Sequence, residues 1–468
     1  MSESMGRWGR RGWIFALVLV LAGATGLVSR LDGLHETQTR RRPSVILVVF
    51  DTLRADHTQP YGYERETTPF LSELAERGTL VEEVVATYPS TLSSHWSMFT
   101  GLFPARHGIY PGRGRAFPRT KPLSEHFQDA GYRTAAFTEG GFVHSLFGFD
   151  RGFDVYDDGP ASGLLDFDGS AASTFAAALD WLTGVGDDPF FLFLHTYQVH
   201  VPYDPDETQR VRFADPNAKR WRKTFPALTT VAINKGRVRV GSRDRAQIVD
   251  LYDAEIRELD DHFRSLWAKL EARGRLDDTI VVITSDHGED LFEHGWLNHG
   301  TTLHDPALLV PLIIVAPGRV ASGARLACQW SQTDIMPTIL GLAGLSVPPG
   351  LDGASRLDDL RRGQCGRDSR AFSELSDSGY DRDDETPMVS LRRDGWKLIL
   401  HLASGELEAF DLRSDPAETK DVAGDVDIAL RRELLEYARS LPGLPAGPPG
   451  RGAPEALRGR LEALGYVE

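Results

Sequence analysis

The chain has 468 residues, enough to bury a large core, and 41% hydrophobic with 25% charged residues is the balance of a globular protein, not a disordered one. A net charge of −15 argues against nucleic acid as the main partner. The two cysteines, Cys328 and Cys365, make no CxxC and no zinc-type cluster; in an exported protein they could form one disulfide.

At the N-terminus Arg7, Arg10 and Arg11 precede an apolar run from Trp13 to Val28. That run is short for a membrane span of roughly 20 residues and suits the core of a signal peptide. Ala22-Gly23-Ala24 offers a cleavage site, and Arg10-Arg11-Gly12-Trp13-Ile14 resembles a twin-arginine signal. The charge order places the body of the protein outside the cytoplasm, periplasmic or anchored in the membrane. Cleavage and retention as a membrane attachment both stay open. Residues 1–42 are thus a signal or anchor segment with a polar linker.

Ser44–Phe50 reads as a buried strand that delivers Asp51, which is either a turn residue or a metal ligand at a strand's carboxyl end. Thr68-Pro69 opens a helix that stops near Gly78. A strand over Leu80–Ala86 leads to Thr91, placed where a loop turns into a helix. There, free N–H groups and the helix dipole face any anion. His95 follows one turn on. Gly131–Phe137 is a strand, Ser170–Val185 a helix, and Phe190–Leu194 an apolar strand running into His195 and His200. Residues 206–243 lack periodicity and are basic, either a substrate-selecting lid or a solvated insertion. From Ile248 to Leu270 apolar residues recur at helical spacing, with Asp253 and Glu255 expected as surface charges. Thr279–Thr284 is a buried strand that delivers Asp286 and His287, a carboxylate and an imidazole side by side, able to bind one metal ion. His294, His299 and His304 follow; His294 and His304 are expected as supporting groups or as ligands of a second metal. Val310–Val315 is a further strand, 355–370 a polar linker, and strands at 388–392, 396–401 and 408–412 precede a helix near 427–441. A Gly/Pro-rich linker and short helix occupy 443–468.

In order, these stretches resemble the sulfatase family of the alkaline-phosphatase superfamily. The sulfatase signature Cys-x-Pro-x-Arg, followed by Thr-Gly, aligns with Thr91-Leu-Ser-Ser-His95 and Thr100-Gly101, so the chain is similar to a threonine branch that lacks the formylglycine cysteine. The resemblance implies an α/β fold: a large, mainly parallel mixed sheet flanked by helices over a catalytic domain at 43–354, and a small C-terminal α+β subdomain at 371–442. It implies that Thr91 is the nucleophile and that Asp51, Thr91, Asp286 and His287 hold a divalent metal, zinc, manganese or calcium. His95 takes the place of the family arginine, His200 that of the histidine beside the bound anion, with His195 orienting it or structural, and His299 stands near the family lysine as general acid. Two family features are missing: the second of two adjacent aspartates, where Thr52 stands, and a Gly-Lys-Trp-His lysine, where the chain reads Thr138-Glu139-Gly140-Gly141. Phe147–Asp154 matches the family's Gly-Phe-Asp segment and is expected to be structural.

A formylglycine hydrate expels sulfate by breaking its own C–O bond. Threonine has no second hydroxyl on that carbon, whereas a phosphothreonine is cleared by attack at phosphorus. The expected reaction is therefore hydrolysis of a phosphate diester or phosphonate ester on an anionic small molecule, lipid or glycan. The alternatives are sulfate-ester hydrolysis, transfer of a phosphorylated head group to an envelope acceptor, and a non-catalytic anion-binding protein.

Overall fold

The computed structural model describes residues 42–111, 120–159, 170–366, 370–376 and 387–441. The signal segment expected before residue 42 and the linker and helix expected over 443–468 lie outside them. Among the described residues no helix is long and apolar enough to cross a membrane.

Apolar runs bounded by turn residues form the strands. They are β1 (Ser44–Phe50), β2 (Thr79–Val85), β3 (Arg133–Phe137), β4 (Val155–Asp157), β5 (Phe190–Thr196), β6 (Thr279–Ser285), β7 (Asp290–Leu291), β8 (Leu297–Asn298), β9 (Leu309–Val315) and β10 (Ala324–Ser331). Eight of them make one sheet in the order β10-β2-β9-β6-β1-β5-β3-β4, while β7 and β8 pair as a short hairpin. Only β9 runs antiparallel to its neighbours in the large sheet. Central strands such as β1, β5 and β6 are buried on both faces, which is why they read as unbroken apolar runs without alternation.

Each face of the sheet carries its own helices. Val45, Leu47 and Val49 of β1 pack with Leu92, Trp96 and Phe99 of the Thr91–Thr100 helix and with Ile335 and Ile339 of the Ile335–Leu342 helix. Ile46, Val48 and Phe50 pack instead on the Pro69–Arg77, Ala171–Gly184 and Ser242–Ala272 helices. The Thr91–Thr100 helix is buried along its whole length and stops at Gly101, whose φ of 66° is the left-handed conformation that glycine adopts without strain. Phe149 stacks on Trp96, centroids 4.7 Å apart, as the structural reading of Phe147–Asp154 expects.

The C-terminal subdomain is an antiparallel sheet of β11 (Ala371–Leu375), β12 (Met388–Arg393), β13 (Trp396–His401) and β14 (Leu407–Asp411). The Ile428–Ser440 helix covers it through Leu430 and Leu434 against Val389, Leu391 and Leu398.

Three expectations need correction. Residues 206–243 contain two helices, Glu207–Phe213 and Ala227–Asn234, too short to show a period in the sequence. The 355–370 stretch is no plain linker: it holds the Leu357–Arg362 helix and is tied to β10 by a Cys328–Cys365 disulfide. Asp253 and Glu255 are buried, not surface charges. Asp253 accepts from Tyr63 Oη at 2.6 Å and Arg65 at 2.7 Å and pairs with His57, while Glu255 accepts from Gln198 and from the Asp204 amide. The loops after β1 and β5 fold over this side of the long helix, which a helical repeat alone does not reveal.

Candidate active site

Register decides which side chains meet. Phe50 of β1 pairs with Ser285 of β6, so the residues that follow, Asp51 and Asp286, leave neighbouring strand ends together. Val49 pairs with His195 of β5. Partners on parallel strands face the same way, so His195 lies on the face that carries Val49 and Asp51. The Thr91–Thr100 helix covers that face and starts above the two carboxylates.

Asp51, Thr91, Asp286 and His287 therefore converge. Thr91 Oγ1 donates to Asp51 Oδ2 at 3.1 Å and lies 3.4 Å from His287 Nε2. Asp51, Asp286 and His287 each offer an atom within 4.8 Å of the others. His287 Nδ1–H donates to the Gly288 carbonyl at 2.9 Å, which leaves its Nε2 lone pair for the cluster. The backbone allows this turn because position 288 has no Cβ; one there would run into the Pro306 carbonyl oxygen.

The cluster is fully buried and under-satisfied. Asp51 Oδ1, Asp286 Oδ2, His95 Nε2 and His195 Nδ1 are buried without a hydrogen bond. Burial, and next the charge of Asp51, pushes the Asp286 carboxyl above its ordinary range. Two carboxylates facing each other with orphaned oxygens and the Nε2 of His287 fit a divalent cation, which would offset the repulsion.

His95 and His195 enter the same cluster. His95 Nδ1–H donates to the Thr91 carbonyl at 2.8 Å and lies 3.5 Å from Asp286 Oδ2. His195 Nε2 is 3.2 Å from Asp51 Oδ2, so this ring contacts Asp51. Burial lowers both, His95 to about 3 and His195 to about 4, so they stand as neutral imidazoles.

His200 and His299 form the flank. Their rings are 5.1 Å apart, and the His299 ring is 4.5 Å from that of His287. The β7–β8 hairpin sets His299, with Asn298 at φ 83° accepting from the His299 amide. Behind it lies Glu289, 3.6 Å from His299 Nδ1, its carboxyl pushed well up by burial and next by Asp290. Burial, then the neighbouring His287 and His200, holds the His299 ring well below its ordinary value. Glu139, at the place of the missing lysine, is spent on structure: it accepts from Thr174 Oγ1 and from the Tyr197 amide.

Sequence reasoning missed Glu289 and Arg54. Buried Arg54 donates to the Glu289 carbonyl at 3.0 Å and to Glu293 at 2.6 Å, bracing the loop after β6. The only signal for it was its place three residues after Asp51.

The profile of the sulfatase family matches residues 43–345, and that of the N-sulphoglucosamine sulphohydrolase C-terminal region matches 292–438. An arylsulfatase of Clostridium perfringens is 23% identical over 86% of this chain and 93% of its own. A multifunctional alkaline phosphatase superfamily protein, PehA of Trinickia caryophylli, is 27% identical over 56% of this chain and 57% of its own. Among solved structures, one bound to its substrate D-glucosamine-2-N,6-O-disulfate superposes with a TM-score of 0.70 at 21% identity, over 86% of this chain and 98% of the other. The phosphonate monoester hydrolase of Agrobacterium radiobacter gives 0.68 at 23% identity, over 86% and 95%. These two share the fold.

Proposed function

The chain belongs to the sulfatase family and is an ester hydrolase; from that premise we propose that it cleaves phosphate diesters or phosphonate monoesters through a Thr91 nucleophile. The observation that carries the reading is the position of the Thr91 hydroxyl, at the start of a helix and within 3.4 Å of both Asp51 and His287.

Asp51, Asp286 and His287, with Thr91 Oγ1, would hold the divalent cation that the family depends on. When bound, it supplies positive charge that acidifies the threonine hydroxyl and neutralises the ester oxygens. Thr91 Oγ1 passes its proton to Asp51 Oδ2, to which it already donates, and forms a bond to phosphorus as the bond to the leaving oxygen breaks. His299 gives that oxygen a proton, once the substrate's negative charge offsets the burial that keeps the ring neutral. Attack by water at phosphorus then frees Thr91. His95 and His200 flank the anion, and His195 holds the Asp51 carboxylate in place.

Sulfate-ester hydrolysis is the second reading, favoured by the arylsulfatase relative. The test is turnover of an aryl phosphodiester, an aryl phosphonate monoester and an aryl sulfate, followed by mass spectrometry of enzyme quenched during turnover. Phosphorus esters should be the better substrates, with a phosphoryl adduct on Thr91. Sulfate turnover that survives Thr91→Ala, or no activity on any phosphorus ester, overturns the reading.

A further inference from the structure

Away from Asp51 and Asp286, a second set of donors converges where the loop after β6 meets the turn after β14. The His294 and His304 rings lie parallel, 3.7 Å between centroids and 9° between planes. Both turn a nitrogen toward the same carboxylate oxygen: His304 Nδ1 is 3.5 Å and His294 Nε2 4.0 Å from Glu418 Oε2. The three residues offer one atom each within 4.8 Å of one another.

Those separations are too long for hydrogen bonds, which close to roughly 2.7–3.2 Å. A shared cation would draw them in, since zinc–nitrogen and zinc–oxygen bonds of about 2.0–2.2 Å in a tetrahedron put donors ~3.3 Å apart, and the two rings would turn out of their parallel stack to aim their in-plane lone pairs at one ion. The atoms concerned are short of partners. His294 Nε2, His304 Nδ1 and Glu418 Oε1 are buried with no hydrogen bond, and the Glu418 side chain is 0% exposed. Among the described residues Glu418 Oε2 accepts only the Asp305 amide, at 2.6 Å, and the Lys397 ammonium stands 3.8 Å from Oε1. Two stacked imidazoles facing one carboxylate would repel each other if both were protonated. As neutral rings they present two lone pairs.

We infer that His294, His304 and Glu418 form a second divalent-metal site, of the two-histidine, one-carboxylate type that takes zinc. Both histidine side chains keep 12% exposure, so the pair lies just under the surface with its facing nitrogens buried. The site joins the segment 294–304, which carries His299, to the C-terminal subdomain. Its role is to position that segment, and it does not depend on which ester the enzyme cleaves.

The test is metal stoichiometry on the full chain, stripped with chelator and reloaded with zinc alone, measured by elemental analysis after desalting. Wild type should hold two equivalents. His294→Gln and Glu418→Gln should each lose one, and Asp51→Asn/Asp286→Asn should keep one. In that double variant cobalt should give a visible tetrahedral absorption that disappears when His294→Gln is added. Circular dichroism of each variant establishes that it is folded; His294→Gln, at a partly exposed side chain, serves if Glu418→Gln unfolds. One equivalent in wild type together with none in Asp51→Asn/Asp286→Asn, or two in folded His294→Gln, overturns the inference.

Discussion

At the residue scale the decisive group is Asp51, which touches both Thr91 Oγ1 and His195 Nε2. Asp51→Asn keeps the shape and removes the charge, so turnover should fall by at least 10³-fold with loss of the cation bound there, read by elemental analysis and steady-state kinetics. His299 gives a finer test. In its proposed role as proton donor to the leaving oxygen it matters most when that oxygen is basic. His299→Gln should therefore cut turnover of alkyl esters by about 10²–10⁴-fold while sparing nitrophenyl esters, and equal losses on both would remove His299 from that role. Asp286-His287 was legible in the sequence because a carboxylate and an imidazole at the end of an apolar strand do little for packing. The contact of His195 with Asp51 was not, since it follows from the pairing of Val49 with His195, a register between strands far apart in the chain.

At the scale of elements, strands showed themselves by apolar runs and the long helix by its repeat, but what covers each did not. The Ser242–Ala272 helix illustrates the difference: its apolar face was readable, while burial of Glu255 depends on loops folding over it. That burial, followed by the charge of Glu258 among the raising causes, pushes the Glu255 carboxyl to about 8. An unfolded glutamate titrates near 4. Between those values the native state keeps a proton that the unfolded chain has released. Its contribution to stability is full below about pH 4 and is lost as pH rises through about 8. Asp260 on the same helix, raised by burial to about 7, acts in the same direction. Below about pH 6.5 the buried neutral histidines act the other way, so urea midpoints should fall between pH 7 and 8.5, and Glu255→Gln should flatten that slope whatever it does to absolute stability. Gly288→Ala tests a close approach instead: with the Pro306 carbonyl in the way, the turn that aims His287 must shift, at a cost of about 1–3 kcal/mol in thermal unfolding and a weaker hold on the cation.

At the scale of the whole molecule, the two sheets are joined by buried charge as well as by apolar packing. Asp305, just before β9, accepts from Arg392 Nε at 3.0 Å and Lys397 Nζ at 2.8 Å, both on the C-terminal sheet. Arg392 also reaches Glu83 of β2 and Gln329 of β10. Burial works against ionisation of Asp305, yet the two cations hold its carboxyl well below the usual range, so the group is charged at neutral pH. No local pattern announces this link: its members are spread from position 83 to 397, and each alone resembles a surface residue. Lys397 is wholly buried, so Lys397→Met fills the same space while leaving Asp305 short of one partner. Breaking a buried pair from one side costs about 3–5 kcal/mol, because the remaining charge stays desolvated. The C-terminal sheet packs against the body through the same contacts. The loss should therefore appear in urea unfolding as a lower midpoint of one shared transition, with secondary structure and tryptophan fluorescence moving together. Should the subdomain unfold separately before the body in Lys397→Met, the apolar packing between the sheets is weaker than the ion cluster that pins them.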